Sequence, residues 1–138
     1  MISFFFQDVA SFSLAKGTIR KTAKAIATTE GKVLGDINFI FCNDEYLYDL
    51  NVKYLNHDYF TDVITFDYRV SGDIISGDIF ISSDRVGDNA ALLNVSFYHE
   101  LCRVMIHGVL HLCGYTDSTS EERALMEAKE NYYLPLLV

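Results

Sequence analysis

The alternation of apolar and polar positions changes period several times along the chain, and each change marks an element. Residues 2–6, ISFFF, are an apolar run of strand length, and residues 33–42, VLGDINFIFC, alternate through Ile37, Phe39 and Phe41. Between them, residues 13–29 carry apolar positions at helical spacing and stop before Gly31, which predicts a helix. Asn43 or Asp44 caps the next helix, whose Leu47, Leu50 and Tyr54 recur at i, i+3 and i+7. Residues 62–70 return to alternation, with Ile64, Phe66, Tyr68 and Val70 on one side and Val63, Thr65, Asp67 and Arg69 on the other. Ser71, Gly72 and Asp73 make a turn, and residues 74–82 come back as a fourth strand. Gly77 inside that strand signals a bulge or a close backbone approach. Everything after residue 83 reads as helix. The predicted fold is α/β of the α+β type: a single small mixed sheet of about four strands with helices packed on it.

A length of 138 residues is that of one domain, read here as residues 1–138. Half the residues are apolar and 22% are charged, a globular composition. The start, MISFFFQDVA, has no basic n-region, and no apolar run approaches the ~20 residues that span a bilayer. The three cysteines do not form a disulfide framework, so a reducing, cytoplasmic setting is expected. A net charge of −8 argues against a protein that meets nucleic acid with its whole surface. Lys16, Arg20 and Lys24 stand four apart on one helical face, with Lys21 beside them, a pattern that fits a local basic stripe or simply a solvated helix face.

The predicted helix from Ser96 to Cys113 carries the chemistry. At 100° per residue, with His107 at zero, His111 lies at about +40°, Arg103 at about −40° and Glu100 at about +20°. Leu101, Cys102, Val104, Met105, Val109 and Cys113 fill the remainder, so the helix is buried and its polar stripe must find partners. Imidazoles at i and i+4 stand ~5–6 Å apart at Cβ, so both can reach one ion at about 2.0–2.1 Å, a spacing that by itself fits two core histidines equally well. Gly114 can end the helix in a left-handed conformation and return the chain, bringing Asp117 round as a third ligand. A capping box from Ser118 to Glu121 is expected to start the next helix. Three protein ligands leave one coordination position open, the mark of a catalytic site. Gly108 stands where a metallopeptidase would carry its glutamate, which disfavours peptide hydrolysis.

The stretch HGVLHLCGYTD, His107 to Asp117, resembles the H-G-x-L-H-L-x-G-Y-D-H signature of the YbeY endoribonucleases. LNVKYLNHDYFTDVITF, Leu50 to Phe66, is similar to that family's L-N-x-x-Y-R-x-x-D-x-P-T-D-V-L-S-F, and GDIFIS (Gly77 to Ser82) and EERALMEAKE also agree. The similarity runs from about residue 36 to residue 131. The resemblance implies a zinc-dependent, single-strand-preferring endoribonuclease acting on ribosomal RNA, in its maturation and in ribosome quality control. It also implies ribosomal small-subunit or assembly-factor partners, with no membrane and no DNA. The implied metal ligands are His107, His111 and Asp117, the last standing where the family has a third histidine. A second departure puts Leu55 in place of the family's arginine and Phe60 in place of its proline. Arg103, one turn before His107, is the candidate catalytic substitute for that missing cation, against a plain Glu100–Arg103 ion pair. Asp62 and Asp78 match family positions as supporting or loop-fixing groups, and His57 lies in a loop able to approach the site.

A bound ion acidifies water and polarises a phosphoryl oxygen, so phosphodiester hydrolysis needs no base at position 108. The alternative is a ribosome-assembly binding factor whose metal is structural and whose cleavage is weak or absent. Two histidines and one carboxylate are also the ligand set of non-haem iron oxygenases, for which the chain offers no other sign.

Overall fold

The computed structural model describes residues 1–69 and 72–138. Its elements are β1 (Ile2–Phe6), α1 (Lys16–Thr29), β2 (Val33–Cys42), α2 (Asp44–Leu55), β3 (Val63–Asp67) and β4 (Ile74–Ser82), then α3 (Ser83–Leu93), α4 (Phe97–Leu112), α5 (Ser120–Tyr133) and a short 3₁₀ turn, Leu134–Leu136. The four strands form one mixed sheet in the order β1-β2-β4-β3. β1 and β4 each run parallel to β2, and β3 returns antiparallel to β4 at the edge. The predicted mixed four-stranded sheet with packed helices is therefore observed.

Alternation decides which residues meet the helices. Ile37, Phe39 and Phe41 of β2 and Ile75, Ile79 and Ile81 of β4 form the main core with Ile19 and Ile26 of α1 and Leu101, Met105 and Val109 of α4. On the opposite face a smaller cluster of Cys42, Leu47 and Ile64 packs under α2. Register places Val63, Thr65 and Asp67 beside Ile81, Ile79 and Gly77, so the edge strand offers these three to the α4 side. Asp78 pairs with Phe66 and faces the other way, where it accepts from the Asn38 amide at 2.9 Å.

Two glycines let α4 lie close on the sheet. A Cβ on Gly108 would stand 2.7 Å from Cγ2 and 2.9 Å from Cδ1 of Ile79. One on Gly77 would meet the Phe66 carbonyl and stand 2.9 Å from Leu112 Cδ2. The expectation of a close approach at Gly77 is met. Gly108 has a packing reason of its own, since only a residue without a side chain fits between helix and strand.

Several boundaries differ from the sequence pattern. α1 begins at Lys16 instead of residue 13, because Phe12 is drawn into an aromatic cluster with Phe6, Phe41 and Phe97, which holds the preceding segment out of the helix. β3 ends at Asp67, whose carboxylate accepts from the Arg69 N–H at 2.8 Å and turns the chain out of the ladder. The predicted placements of Val70 and Ser71 lie outside the described residues. The capping box sits one residue later than expected: Thr119 accepts from the Glu122 N–H at 3.1 Å, and Glu122 accepts from the Thr119 N–H at 2.9 Å. A glutamate stands at both 121 and 122, so the pattern fitted two registers, and the Thr119 register is the one formed. Among the described residues no helix is long and apolar enough to cross a membrane.

Candidate metal centre

α4 starts at Ser96, whose hydroxyl accepts from the His99 N–H at 3.0 Å, and ends at Gly114, which takes a φ of +109°. That turn, open to glycine at little cost, sends the chain back along the helix as predicted. Asp117 arrives opposite the histidine stripe. Its Oδ2 lies 3.3 Å from Nε2 of His107 and 3.5 Å from Nε2 of His111. One ligand atom from each of the three residues lies within 4.8 Å of the others, so the group could hold a metal ion. The two rings stand nearly perpendicular, at 81°, with centroids 4.6 Å apart.

The far side of His107 is fixed by Glu130, a residue to which the sequence reading gave no role. Its Oε2 lies 2.6 Å from Nδ1 of His107. A carboxylate can only accept, so the proton sits on Nδ1 and the Nε2 lone pair is turned toward Asp117. The other oxygen, Oε1, accepts from Arg103 Nη1 at 3.1 Å, while Arg103 Nε stands 3.5 Å from Glu100 Oε1. Both carboxylates are buried. Arg103 is thus held between them, and it lines a small cavity of about 100 Å³ behind His107 instead of the main pocket. The signal for Glu130 lay in α5, where Met126, Glu130 and Tyr133 form the buried i, i+4, i+7 stripe. An acid in such a stripe must be satisfied by something.

Burial works against an imidazolium at His107, yet the Glu130 hydrogen bond and charge, with Asp117 and Asp62, more than offset it and raise its pKa. His111 goes the other way, lowered first by burial and then by the charge of His107. Asp62 is raised, mainly by burial, with His107 opposing. It lies between the two cavities and lines both.

The main pocket, about 470 Å³, opens beside the edge strand and is lined by His107, His111, Asp117, Asp62, Thr65 and the loop after α2. The buried side chain of Asn51 sets that loop by donating to the Tyr59 carbonyl at 2.9 Å. Leu55 and His57 both line the pocket, and the His57 ring stacks on Tyr59 at 5.1 Å. Phe60 does not; it turns outward against Tyr48 and beneath Arg85. The Thr65 hydroxyl is buried against the pocket without a hydrogen-bond partner. The loop carrying Asp117 is anchored by its own tyrosine, since Tyr115 donates to Glu30 at the end of α1 at 2.5 Å. Tyr133 and Lys129 donate to the same carboxylate.

Two imidazoles and a carboxylate beside a pocket, on a helix packed against a mixed sheet, define an α/β domain with a candidate metal centre. Comparison narrows the class. The family model described as Endoribonuclease YbeY matches residues 6–137, and the chain belongs to that family. An "Endoribonuclease YbeY" of Parabacteroides distasonis is 46% identical over 99% of this chain and 95% of its own length. One of Flavobacterium johnsoniae is 56% identical over 78% of this chain and 76% of its own. A solution structure of a Thermotoga maritima protein, 26% identical, superposes with a TM-score of 0.64 over 99% of this chain and 89% of that one. The chain is accordingly an RNA-cleaving hydrolase by family.

Proposed function

We propose that residues 1–138 form a single metal-dependent domain that cuts single-stranded RNA in ribosomal RNA maturation and ribosome quality control, in the cytoplasm and in contact with the small subunit or its assembly factors. One divalent ion, zinc, is held by His107, His111 and Asp117. The observation that carries this reading is the pair of Nε2 atoms turned on one Asp117 oxygen, at 3.3 and 3.5 Å, beside a pocket of about 470 Å³. The donors fit the ion: two neutral imidazole nitrogens and one carboxylate are a borderline set that suits zinc and leaves a position open. When bound, the ion polarises a phosphoryl oxygen and acidifies a water molecule. The chain supplies the rest. Glu130 holds His107 in the tautomer that ligates, and a substrate phosphate lies in the main pocket beside β3. Leu55 gives that phosphate an apolar neighbour in place of a cation, so the rate is modest.

Arg103 belongs to this proposal as the cation nearest the ligands on α4. Its contacts with Glu100 and Glu130 favour a role exerted through Glu130 on His107. Arg103→Ala distinguishes the two roles: a loss of about 10²–10³ in cleavage at full metal occupancy marks a phosphate contact. An equal loss in metal affinity marks positioning.

Elemental analysis beside an RNA-cleavage assay tests the whole. About one zinc per chain is expected. His107→Ala or His111→Ala should abolish both binding and cleavage, while casein stays intact. Full occupancy in the double alanine variant removes the site. Leu55 in the pocket favours one other reading, a ribosome-assembly binding factor with a structural metal. That reading wins if the loaded protein cuts no RNA yet is retained on ribosomal subunits.

A further inference from the structure

The charge of this chain is segregated. No acidic residue lies between Asp8 and Glu30, and that interval holds four of the chain's 11 Lys and Arg: Lys16, Arg20, Lys21 and Lys24. All four are exposed on α1. Elsewhere the cations are largely consumed internally, since Lys32, Arg69, Arg85, Arg103 and Lys129 each stand 3.7 Å or less from a carboxylate. Among the described residues no such partner stands beside the four on α1. Two of them are held in place by a ring instead. Arg20 lies 5.4 Å and Lys16 5.8 Å from the centroid of Phe4, and Arg20 Nε donates to the Ile2 carbonyl at 3.3 Å. The strip runs on to an N-terminus that no side chain caps and no acid approaches in the first turn.

We infer that this strip is a docking surface for an RNA phosphate backbone, set apart from the cutting site; the inference rests on the ribonuclease reading above. Lys16, Arg20 and Lys24 rise along α1 in steps of about 6 Å, so the strip is about 12 Å long. With Lys21 beside them, the four charges can neutralise at most about four phosphates of one strand. In a chain of net charge −8, a polyanion is repelled over most of the remaining surface. A lipid surface fits less well, because the apolar face of α1 (Ile19, Ala23, Ile26, Ala27) is already buried in the core and leaves nothing to insert. The strip lies beside β1 and the metal centre beside β3, the two edges of the sheet. Three strand spacings, about 15 Å, separate those edges. An RNA bound at both is therefore long, held at one point and cut at another, and a short oligonucleotide reaches the metal centre alone.

The test compares wild type with the quadruple variant Lys16→Gln, Arg20→Gln, Lys21→Gln, Lys24→Gln. A second variant, Lys21→Gln with Lys24→Gln, leaves the contacts to Phe4 intact. Cleavage of a tetranucleotide should be unchanged in both. Affinity for a long RNA, a stem with an unpaired tail, is measured on chelated protein so that nothing is cut. It should fall about 10–100-fold in the quadruple variant at low salt, with a salt slope shallower by about 2–3, and about half that slope change in the double. Equal affinity and slope in wild type and quadruple variant would overturn the inference. So would wild type that binds no long RNA, or a strip needed for phosphatidylglycerol vesicles and not for RNA. Wild type that binds long RNA through the strip but cuts neither substrate defeats the ribonuclease reading and leaves the docking surface standing.

Discussion

Glu130→Gln probes the centre without changing its shape. The side chain is buried, with Oε2 2.6 Å from His107 Nδ1 and Oε1 3.1 Å from Arg103 Nη1. Both neighbours donate, and an amide has only one accepting atom. If the amide oxygen faces His107, the NH₂ is set against the Arg103 guanidinium. If the amide flips, its NH₂ demands a lone pair on Nδ1 and drives the proton to Nε2, the atom turned toward Asp117. Either orientation loses one contact to a charged group, worth ~1.5–3 kcal/mol, and part is regained because a neutral amide costs less to bury than a carboxylate. A net destabilisation of about 1–2 kcal/mol lowers the melting temperature by about 3–8 °C in a domain of this size. Metal affinity should fall by ~10–100-fold, or about 1.4–2.7 kcal/mol. Chelator competition reads the affinity and calorimetry the stability. Unchanged affinity in a cooperatively folded Glu130→Gln protein would refute the claim that this carboxylate sets the His107 tautomer.

Gly108→Ala gains ~1 kcal/mol of helix propensity but drives a methyl into Ile79, whose Cγ2 is branched at Cβ and cannot swing away, so the net result is a loss of about 1 kcal/mol in urea unfolding; a more stable variant would contradict the packing. Asp117→Ala should weaken metal binding by at least ~10-fold and Asp117→His should restore it, again by chelator competition. Glu30 is burdened by burial, but Tyr115, Tyr133 and Lys129 together hold its pKa below the ordinary value. Its contribution is present above about pH 4.3 and is lost as pH falls through the depressed folded value, so Glu30→Gln should flatten the acid limb of the stability curve. Burial pushes Cys42 up to about 12 and Cys102 and Cys113 up to about 11, so Ellman's reagent should find no thiol at pH 8 until the chain is unfolded.

The sequence made the stripe legible because helical geometry alone puts Glu100, Arg103, His107 and His111 on one side of α4. The return of Asp117 followed from a glycine at a helix end. The strands were legible through period-two alternation in β2 and β4, whose buried isoleucines and phenylalanines leave no other reading. What escaped was set by contacts distant in sequence. Glu130 meets His107 only through the packing of α5 on α4, and local pattern says nothing of which helix lies beside which. Residues 13–15 read as helix because the aromatic cluster that holds Phe12, just before them, is built from β1, β2 and α4. The Glu100–Arg103 ion pair was one of the two sequence readings of Arg103; the second carboxylate, Glu130, comes from the next helix and was not legible.

The position of Glu130 also ties the candidate centre to the packing of one helix. All three candidate ligands precede α5, so a chain with α5 undocked lacks the carboxylate that orders His107. Until α5 docks, Nδ1 has no acceptor and either nitrogen can carry the proton. The Asp117 loop is equally unsettled, because Lys129 and Tyr133, which share Glu30 with Tyr115, are on α5 or its last turn. Completion of the centre is thereby tied to completion of the fold. A chain whose last helix is undocked therefore holds both imidazoles and Asp117 without the carboxylate that fixes them.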